Sequence, residues 1–228
     1  MSVRRLGILG GTFDPIHFGH LDAADAAQRA LALDEVRLVP AHDPPHRPTD
    51  PRASAFHRFA LAALAVQDRP SWRVSDAELR RAGESYTFDT LRALQAEGWR
   101  PWQILFILGA DAFAEIGTWY RFPAVLDEAH FAVVARPGSN LAPVLGQSPA
   151  VAARVRRPGT WTAADEATAI FPVHAVTRDV SSSLLRARLA AKQPIADLVP
   201  PAVARHIRAH GLYGAVDDSH GEEQHTHD

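Results

Sequence analysis

Short runs of consecutive apolar residues alternate along the chain with longer stretches that repeat apolar residues every three or four positions. Runs typical of buried strands are the following: residues 4–9, 35–39, 72–74, 104–108, 131–135 and 169–173. The periodic stretches that predict amphipathic helices are the following: residues 19–31, 52–66 and 87–97. Strands that alternate with helices in this way form parallel sheets with crossover helices, so the pattern predicts the α/β class.

Two further helices are predicted near the C-terminal end, at residues 181–190 and 201–210. Serines can cap the first helix, and Gly211 follows the second, as glycine often does at a helix end. The predicted fold is therefore a Rossmann-like open parallel sheet with helices on both faces and a small C-terminal helical portion. With 228 residues, 46% of them hydrophobic, the chain can bury one substantial core, and we expect a single domain over residues 1–213.

Two segments lie outside the alternating pattern. Residues 137–160 are rich in proline, glycine and small residues, which predicts a long connection or variable insertion with at most a short helix. The end of the chain is acidic and contains several histidines, a composition typical of disordered segments. We therefore expect residues 214–228 to form a disordered tail.

The segment that follows the first strand carries the clearest candidate chemistry. It reads GGTFDPIHFGH from Gly10 to His20, so a buried strand leads into a glycine turn and then into the start of a helix. Gly10 and Gly11 let the backbone approach an anion, and the free N–H groups of the helix point to the same place. His17 and His20 share one helix face, from which both can reach phosphate oxygens. The segment predicts a nucleotide phosphate site; the alternative is a strand-to-helix turn with surface histidines.

Composition excludes several other kinds of site. The glycine segment matches neither a P-loop nor the GxGxxG loop of dinucleotide-binding folds. The only lysine is Lys192, far from any glycine loop, which leaves no plausible residue for a P-loop lysine, a lysyl-nucleotide intermediate or a pyridoxal Schiff base. The chain has no cysteine, so disulfides, thiolate nucleophiles and cysteine-bound zinc are excluded as well.

Charge and hydropathy indicate which partners the chain has and where it acts. The net charge is −2, the isoelectric point is near 6.6, and basic residues form no block, which argues against nucleic-acid and anionic-membrane binding. No apolar run reaches the ~18 residues of a membrane span, and no signal-like region precedes the first strand. We expect small-molecule substrates, no nucleic-acid or membrane partner and a cytoplasmic location, with a homo-oligomer left open.

Residues 180–186 read VSSSLLR and predict a second anion site. Serines open a predicted helix there, and Arg186 returns to the same side of that helix one turn later. Free N–H groups, the hydroxyls of Ser182 and Ser183 and a guanidinium can together hold phosphate oxygens. For this segment alone, simple capping of the helix by its serines is the alternative.

Loops after two other predicted strands carry further candidates. Residues 44–47 read PPHR, in which His46 and Arg47 could contact phosphate, unless the segment is only a rigid surface loop. Gly109 and Asp111 belong to a GAD sequence after the fourth strand, although a helix cap would also explain the aspartate. Ligands of parallel sheets gather beyond the carboxyl ends of the strands, where both loops lie.

Several of these segments resemble one family. GGTFDPIHFGH resembles the signature of the nucleotidyltransferase superfamily with HxGH motifs, and specifically its nicotinate-nucleotide adenylyltransferase branch. VSSSLLR is similar to the ISSTxIR element of that family, and PPHR resembles its PHK element with arginine in place of lysine. The segments SYTFDTL at 85–91, TWYR at 118–121 and VPPAVARHIRAHGLY at 199–213 also resemble family elements, so the similarity runs from residue 6 to about 213.

The resemblance implies adenylyl transfer from ATP to nicotinate mononucleotide, which forms nicotinate adenine dinucleotide (deamido-NAD) and pyrophosphate in NAD biosynthesis, with Mg²⁺ as cofactor. It implies catalytic roles for His17, His20 and Arg186 and no metal-binding side chain. The ATP and phosphate ligands that it implies are the following: Gly10, Gly11, Thr12, Phe13, His46, Arg47, Gly109, Asp111, Ser182 and Ser183.

The resemblance also implies a site for the nicotinate nucleotide. It places Thr87 beside the pyridine ring, Trp119 in a stack on that ring, and the backbone N–H of Tyr120 on its carboxylate. Ser85 or Thr87 as a plain helix cap, and Trp119 as a half-buried core aromatic, are the alternatives.

Two other functions remain open. One keeps the chemistry and changes the acceptor to nicotinamide mononucleotide, phosphopantetheine or a cytidylyl-accepting alcohol phosphate. The other is a nucleotide-sensing or metal-binding module without turnover, suggested by the 12 histidines. In that case His220, His225 and His227 of the tail could bind a transition metal weakly.

Overall fold

Six parallel strands form one open sheet in the computed structural model, which describes residues 4–44, 51–136, 138–160 and 166–215. The strands are the following: β1 (Leu6–Gly11), β2 (Glu35–Pro40), β3 (Trp72–Val74), β4 (Ile104–Gly109), β5 (His130–Ala135) and β6 (Ile170–His174). They lie in the order β3-β2-β1-β4-β5-β6, and every neighbouring pair is parallel. This is the doubly wound order, so the predicted Rossmann-like sheet is confirmed.

Helices connect the strands on both faces of the sheet. The α-helices in the described ranges are the following: α1 (Phe18–Leu31), α2 (Ala55–Val66), α3 (Thr87–Ala96), α4 (Ala110–Ala114), α5 (Ala142–Leu145), α6 (Pro149–Ala152), α7 (Ser182–Ala190) and α8 (Pro201–Ala209). Short 3₁₀ helices lie at Pro101–Gln103, Ile116–Thr118, Ala124–Asp127 and Leu212–Gly214. None of the helices described is long and apolar enough to cross a membrane.

The five predicted helices are present, and in each of them one end agrees with the prediction and the other differs by one to three residues. The largest difference is at the start of α2, which begins at Ala55 rather than at Arg52. Ser54 caps the helix, since its hydroxyl accepts the N–H of His57 at 3.3 Å. The N–H groups of Arg52 and Ala53 instead donate hydrogen bonds to the carboxylate of Asp14, so these residues stay outside the helix.

Residues 138–160 belong to the segment that was predicted to be a long connection with at most a short helix. They contain more regular secondary structure than predicted. The segment contains two short helices, α5 and α6, so the prediction of at most one was wrong. Leu141 and Val151 are buried in the core. Residue Val155 pairs with Ile170 in an isolated parallel bridge, which joins the segment to β6. Four-residue helices carry too little periodicity to be found in the sequence.

The core consists of two hydrophobic layers, one on each face of the sheet. Along β4 the side chains alternate between them: Leu105 and Ile107 belong to the layer that faces α1, α2, α7 and α8. Ile104, Phe106 and Leu108 belong to the layer that faces α3 and α4. Strand side chains point alternately to opposite faces, so a strand buried on both faces reads as a continuous apolar run.

A buried arginine fixes the ends of the central strands. Arg58 of α2 is only 1% exposed. Its guanidinium donates hydrogen bonds to four backbone carbonyls at 2.5–3.2 Å, those of Thr12, Ala41, His42 and Ala53. Thr12 follows β1, and Ala41 and His42 follow β2. The side chain of Arg58 therefore holds two loops at the carboxyl edge of the sheet.

Replacement of this arginine by methionine, Arg58→Met, keeps an unbranched apolar side chain in place of the arginine stem and removes the guanidinium donors. The buried carbonyls then lose hydrogen-bond partners, and the free energy of unfolding should fall by about 3 kcal/mol. For a chain of this size the melting temperature should drop by roughly 6–12 °C. Thermal and denaturant unfolding measure this, with Arg92→Met on the exposed side of α3 as the control. Equal losses in the two variants would contradict the role given to Arg58.

Candidate active site

The carboxyl ends of β1 and β4 lie side by side in the middle of the sheet, where the chain order reverses. Ligands of doubly wound folds bind in the crevice at such a switch point. Gly10 and Gly11 end β1 and lead into the segment that runs to His20, whereas Gly109 ends β4 and Asp111 lies in the helix that follows it. Two of the predicted phosphate-binding segments therefore meet at one crevice.

The two glycines at the end of β1 pack tightly against phenylalanine rings. A Cβ on Gly10 would lie 3.0 Å from Cζ of Phe106, and one on Gly11 would lie 3.0 Å from Cε1 of Phe13. Phe13 itself is buried and has a φ of 51°, in the left-handed region. Together with buried Thr12, these residues form a tightly packed loop whose shape is set by the protein itself.

The two histidines lie at the start of α1, with His17 as the N-cap and His20 in the first turn. Their rings stack with centroids 3.7 Å apart and planes 23° apart, as expected for residues on one helix face. Nδ1 of His20 accepts the backbone N–H of His17 at 3.2 Å. A neutral His20 ring therefore carries its proton on Nε2, which makes this nitrogen a hydrogen-bond donor.

His17 is a buried histidine, only 6% exposed. Burial lowers the pKa of its imidazole to about 4, although the nearby carboxylate of Asp22 acts to raise it. The ring is neutral at pH 7. Its Nδ1 is buried and has no hydrogen-bond partner among the residues described. Buried polar atoms nearly always have a partner, so this nitrogen is a candidate for contact with a ligand.

The serine motif before α7 packs directly on the loop that follows β1. The hydroxyl of Ser182 donates to the carbonyl of Pro15 at 2.9 Å. Ser181, not Ser182 or Ser183, caps the helix, since its hydroxyl accepts the N–H of Leu184 at 3.1 Å. Capping therefore accounts for one serine of the motif and leaves the other two for other contacts.

Arg186 joins the same two segments from the far end of the motif. Its Nη1 donates to the backbone carbonyl of Asp14 at 2.6 Å, and its Nη2 donates to the hydroxyl of Ser183 at 3.1 Å. A guanidinium has five N–H groups, so further donors remain for a ligand. The two segments that were predicted to bind anions are thus in direct contact.

The carboxylate of Asp14, which was not among the candidate residues predicted from the sequence, lies beneath this site. Asp14 is 1% exposed, and its carboxylate accepts the N–H groups of Arg52 and Ala53 at 2.8 and 3.1 Å. The hydroxyl of Tyr213 donates to it at 2.8 Å. Burial and this carboxylate raise the pKa of Tyr213, so the phenol stays protonated as a donor. The sequence places the partners 38, 39 and 199 residues away, which hid the connection.

A cavity of about 320 Å³ opens at the switch point, between the N-terminal part of α1 and the ends of β4 and β5. Gly109 and Asp111 line it. Gly109 is the N-cap of α4, and Asp111 lies inside the first turn of that helix. The alternative that Asp111 caps the helix was therefore wrong. Three further residues line the cavity although no sequence motif pointed to them: Arg136, Ser139 and Thr177. Their signal is positional, since they follow β5 and β6 at the same sheet edge.

A second cavity, of about 420 Å³, has aromatic walls. The predicted residues Thr87, Trp119 and Tyr120 all line it. Tyr120 stacks on Tyr86 with ring centroids 4.4 Å apart. Trp119 also packs its ring edge-on against Phe106 of the core, at 5.9 Å. Trp119 is therefore partly a core residue and partly a cavity wall.

Neither Ser85 nor Thr87 caps α3. The N-cap is Tyr86, without a side-chain cap bond, so the capping alternative was wrong for both residues. The hydroxyl of Ser85 instead accepts the backbone N–H groups of His42 and Asp43 at 2.9 and 3.3 Å. These bonds tie one end of the aromatic cavity to the loop after β2.

Some predicted residues lie outside the described part of the chain. They are His46 and Arg47 in the loop after β2, and His220, His225 and His227 in the tail. Within the described ranges, no group of three or more histidine, aspartate or glutamate side chains is arranged to hold a metal ion.

The chain matches a known family model and many curated proteins. The cytidylyltransferase-like family model matches residues 8–188. A "probable nicotinate-nucleotide adenylyltransferase" of Trichlorobacter lovleyi is 41% identical over 212 residues, 92% of this chain and 99% of that protein. One with the same name in Symbiobacterium thermophilum is 39% identical over 222 residues, 96% of this chain and 99% of that protein.

A solved structure shares the fold at low sequence identity. The Plasmodium falciparum nicotinic acid mononucleotide adenylyltransferase complexed with NaAD has a TM-score of 0.70 and 18% identity, covering 92% of this chain and 97% of that one. This likeness shows the fold, whereas the curated relatives show the family because their identity is high over nearly the whole chain. The chain belongs to the nicotinate-nucleotide adenylyltransferase family, a cytidylyltransferase-like branch of the nucleotidyltransferases.

Proposed function

We propose that the protein transfers the adenylyl group of ATP to nicotinate mononucleotide, forming nicotinate adenine dinucleotide and pyrophosphate in NAD biosynthesis. The observation that carries this proposal is the pair of cavities on either side of α4. Asp111 lines the cavity at the switch point, and its neighbour Ala112 lines the aromatic cavity. A dinucleotide is made from two nucleotides held side by side, and the switch-point crevice with the histidine loop suits the triphosphate.

The reaction needs no nucleophile from the protein. An oxygen of the acceptor's 5′-phosphate attacks the α-phosphorus of ATP, and the new P–O bond forms as the bond between the α-phosphorus and the bridging oxygen breaks. Pyrophosphate leaves with the electron pair of that bond. The attacking phosphate is already an anion near neutral pH, so a general base is dispensable. The protein then acts by aligning two anionic reactants and neutralising charge.

His17, His20 and Arg186 supply that neutralising charge. Nε2 of His20 is a donor, and Arg186 keeps free N–H groups after bonding to the loop. His17 is neutral at rest, and a triphosphate beside its ring would raise its pKa and favour protonation. These groups act on the negative charge that develops on the departing pyrophosphate.

The remaining ligands divide between the two cavities. Backbone groups of residues 10–13 contact the nucleotide phosphates, and the hydroxyls of Ser182 and Ser183 contact ATP. Gly109 and Asp111 border the ATP cavity. In the aromatic cavity, Trp119 stacks on the pyridine ring, Thr87 lies beside that ring, and the backbone N–H of Tyr120 meets its carboxylate. We assign phosphate contacts to His46 and Arg47 on the family resemblance alone.

Magnesium enters this proposal as part of the substrate, the Mg²⁺ complex of ATP. The described residues form no cluster of metal ligands, so phosphate oxygens would hold the ion. The bound ion offsets charge on the phosphates. We further propose that residues 1–213 act as one domain in the cytoplasm, which suits a chain without cysteine.

Acceptor selectivity tests the proposed function. With MgATP and either nicotinate or nicotinamide mononucleotide, pyrophosphate release should favour the nicotinate substrate by roughly 100-fold in kcat/KM, because backbone donors that bind a carboxylate are left unpaired by an amide nitrogen. Comparable use of both would indicate dual specificity. Release with neither, but with phosphopantetheine, would move the acceptor elsewhere in the superfamily.

The role of His20 is tested by His20→Ala. Loss of one key electrostatic donor should lower kcat by roughly two to four orders of magnitude and leave the fold intact. Steady-state kinetics and circular dichroism measure the two properties. His210→Ala, at an exposed position at the end of α8, is the control and should keep normal kcat. A folded His20→Ala enzyme with near-normal turnover would remove His20 from the mechanism.

The buried state of His17 predicts a pH dependence of stability. Its pKa is about 4 in the folded protein against an ordinary value of 6.5, so between these pH values the unfolded chain binds a proton that the folded chain does not. The free energy of unfolding should therefore decrease as the pH is lowered, and this residue should contribute about 2 kcal/mol of the decrease between pH 7 and pH 5. In denaturant unfolding, the loss of stability between pH 7 and pH 5 should be smaller in the variant His17→Gln than in the wild type by that amount. Identical pH profiles would show that His17 is not buried neutral.

A further inference from the structure

Glu78 is a buried carboxyl group that the proposed reaction does not use. It lies in the connection between β3 and α3 and is 7% exposed. The hydroxyl of Thr90 donates to its Oε1 at 2.5 Å, and the side chain of Ser85 is a second hydrogen-bond partner. Burial raises the pKa of Glu78, and these two hydrogen bonds oppose the rise, as does the charge of nearby Arg81. A carboxyl group kept in such a place needs both hydroxyl partners.

The hydrogen bonds of Ser85 show what its proton does. Its oxygen accepts the N–H groups of His42 and Asp43, which uses its acceptor capacity. The single hydroxyl proton is then left for Glu78. Glu78 thereby completes the connection that joins the loop after β2 to the start of α3.

Thr90 connects the same carboxyl group to the first turn of α3. It lies three residues after Thr87, and Nη2 of Arg81 also donates to its hydroxyl oxygen at 3.3 Å. Ser85 precedes the helix and Thr90 belongs to it, so the two contacts of Glu78 bracket residues 86–88. Those residues, with Ser85, form one wall of the aromatic cavity.

We propose that Glu78 is a positioning residue for the acceptor nucleotide: it accepts hydrogen bonds from Ser85 and Thr90 and so fixes the cavity wall formed by residues 85–88. Glu78 does not line the cavity and acts only through these two residues. The inference rests on the proposed function, which makes this cavity the acceptor site. The ATP cavity at the switch point shares no lining residue with it.

The variant Glu78→Gln tests this role with nearly the same volume. A glutamine amide keeps one acceptor oxygen and replaces the other with a donor, so one of the two hydroxyls must lose its partner and rotate away. We expect the KM for nicotinate mononucleotide to rise by about 10-fold. The KM for ATP and kcat should stay within about two-fold of wild type.

A matched control lies at the other end of the same helix. Glu97 follows α3, is largely exposed and pairs with Arg37. The variant Glu97→Gln makes the same chemical change and should leave both KM values unchanged. An unchanged acceptor KM in Glu78→Gln, or an equal rise of both KM values, would overturn the positioning role.

Variants of Thr90 test the hydrogen bond between Thr90 and Glu78 from the donor side. They replace Glu78→Gln as the test if that variant does not fold. Thr90→Val removes the hydroxyl and should raise the acceptor KM selectively, whereas Thr90→Ser keeps it and should restore a KM near that of wild type. Equal KM values for these two variants would contradict the proposal. If the wild-type enzyme does not turn over nicotinate mononucleotide, the proposed function is wrong. The KM values of the variants are then compared for the acceptor that the enzyme does use.

Discussion

The carboxylate of Asp14 holds together parts of the chain that meet only in the folded state. It accepts hydrogen bonds from the backbone of Arg52 and Ala53 before α2 and from the hydroxyl of Tyr213 near the end of the described chain. Arg186 of α7 bonds to the backbone carbonyl of the same residue. A carboxylate that is 1% exposed needs this many donors to offset its lost hydration. The shape of the histidine loop therefore depends on contacts from α2, α7 and the C-terminal region at once.

This arrangement prepares the site before any nucleotide binds. Phe13 is held in the left-handed region, and His17 keeps a buried nitrogen without a partner in the described structure. The left-handed backbone and the unpaired nitrogen each cost stability, although the side chain of Phe13 itself is buried in the core. The buried contacts of Arg58 and Asp14 offset this cost from below the loop. Groups fixed in advance do not have to be reorganised when charge develops in the reaction, which is the main source of electrostatic catalysis.

The sequence could predict what depends on local periodicity and on short motifs. All six strands follow from apolar runs, and the parallel arrangement of the sheet follows from their alternation with helices. The sequence could not reveal α4 to α6, which are too short to show a period. The sequence also offered helix capping as an alternative for Ser85, because that is the usual local role of serine before a helix, but here a distant loop supplies the partners. Asp14 and Glu78 were missed for the same reason, since their partners lie far along the chain or in an irregular connection.

The stacked histidines explain why a neutral resting state suits the proposed reaction. With the rings 3.7 Å apart, two positive charges would repel each other strongly in a site where His17 is buried. Burial keeps His17 neutral at pH 7 and so avoids that repulsion while the site holds no substrate. A triphosphate reverses the balance, because its negative charge stabilises protonated imidazole. In the proposed reaction the positive charge arises only when there is an anion to neutralise, and its interaction with the leaving pyrophosphate strengthens as that group gains negative charge. Interactions that strengthen in this way toward the transition state increase kcat rather than only tightening substrate binding.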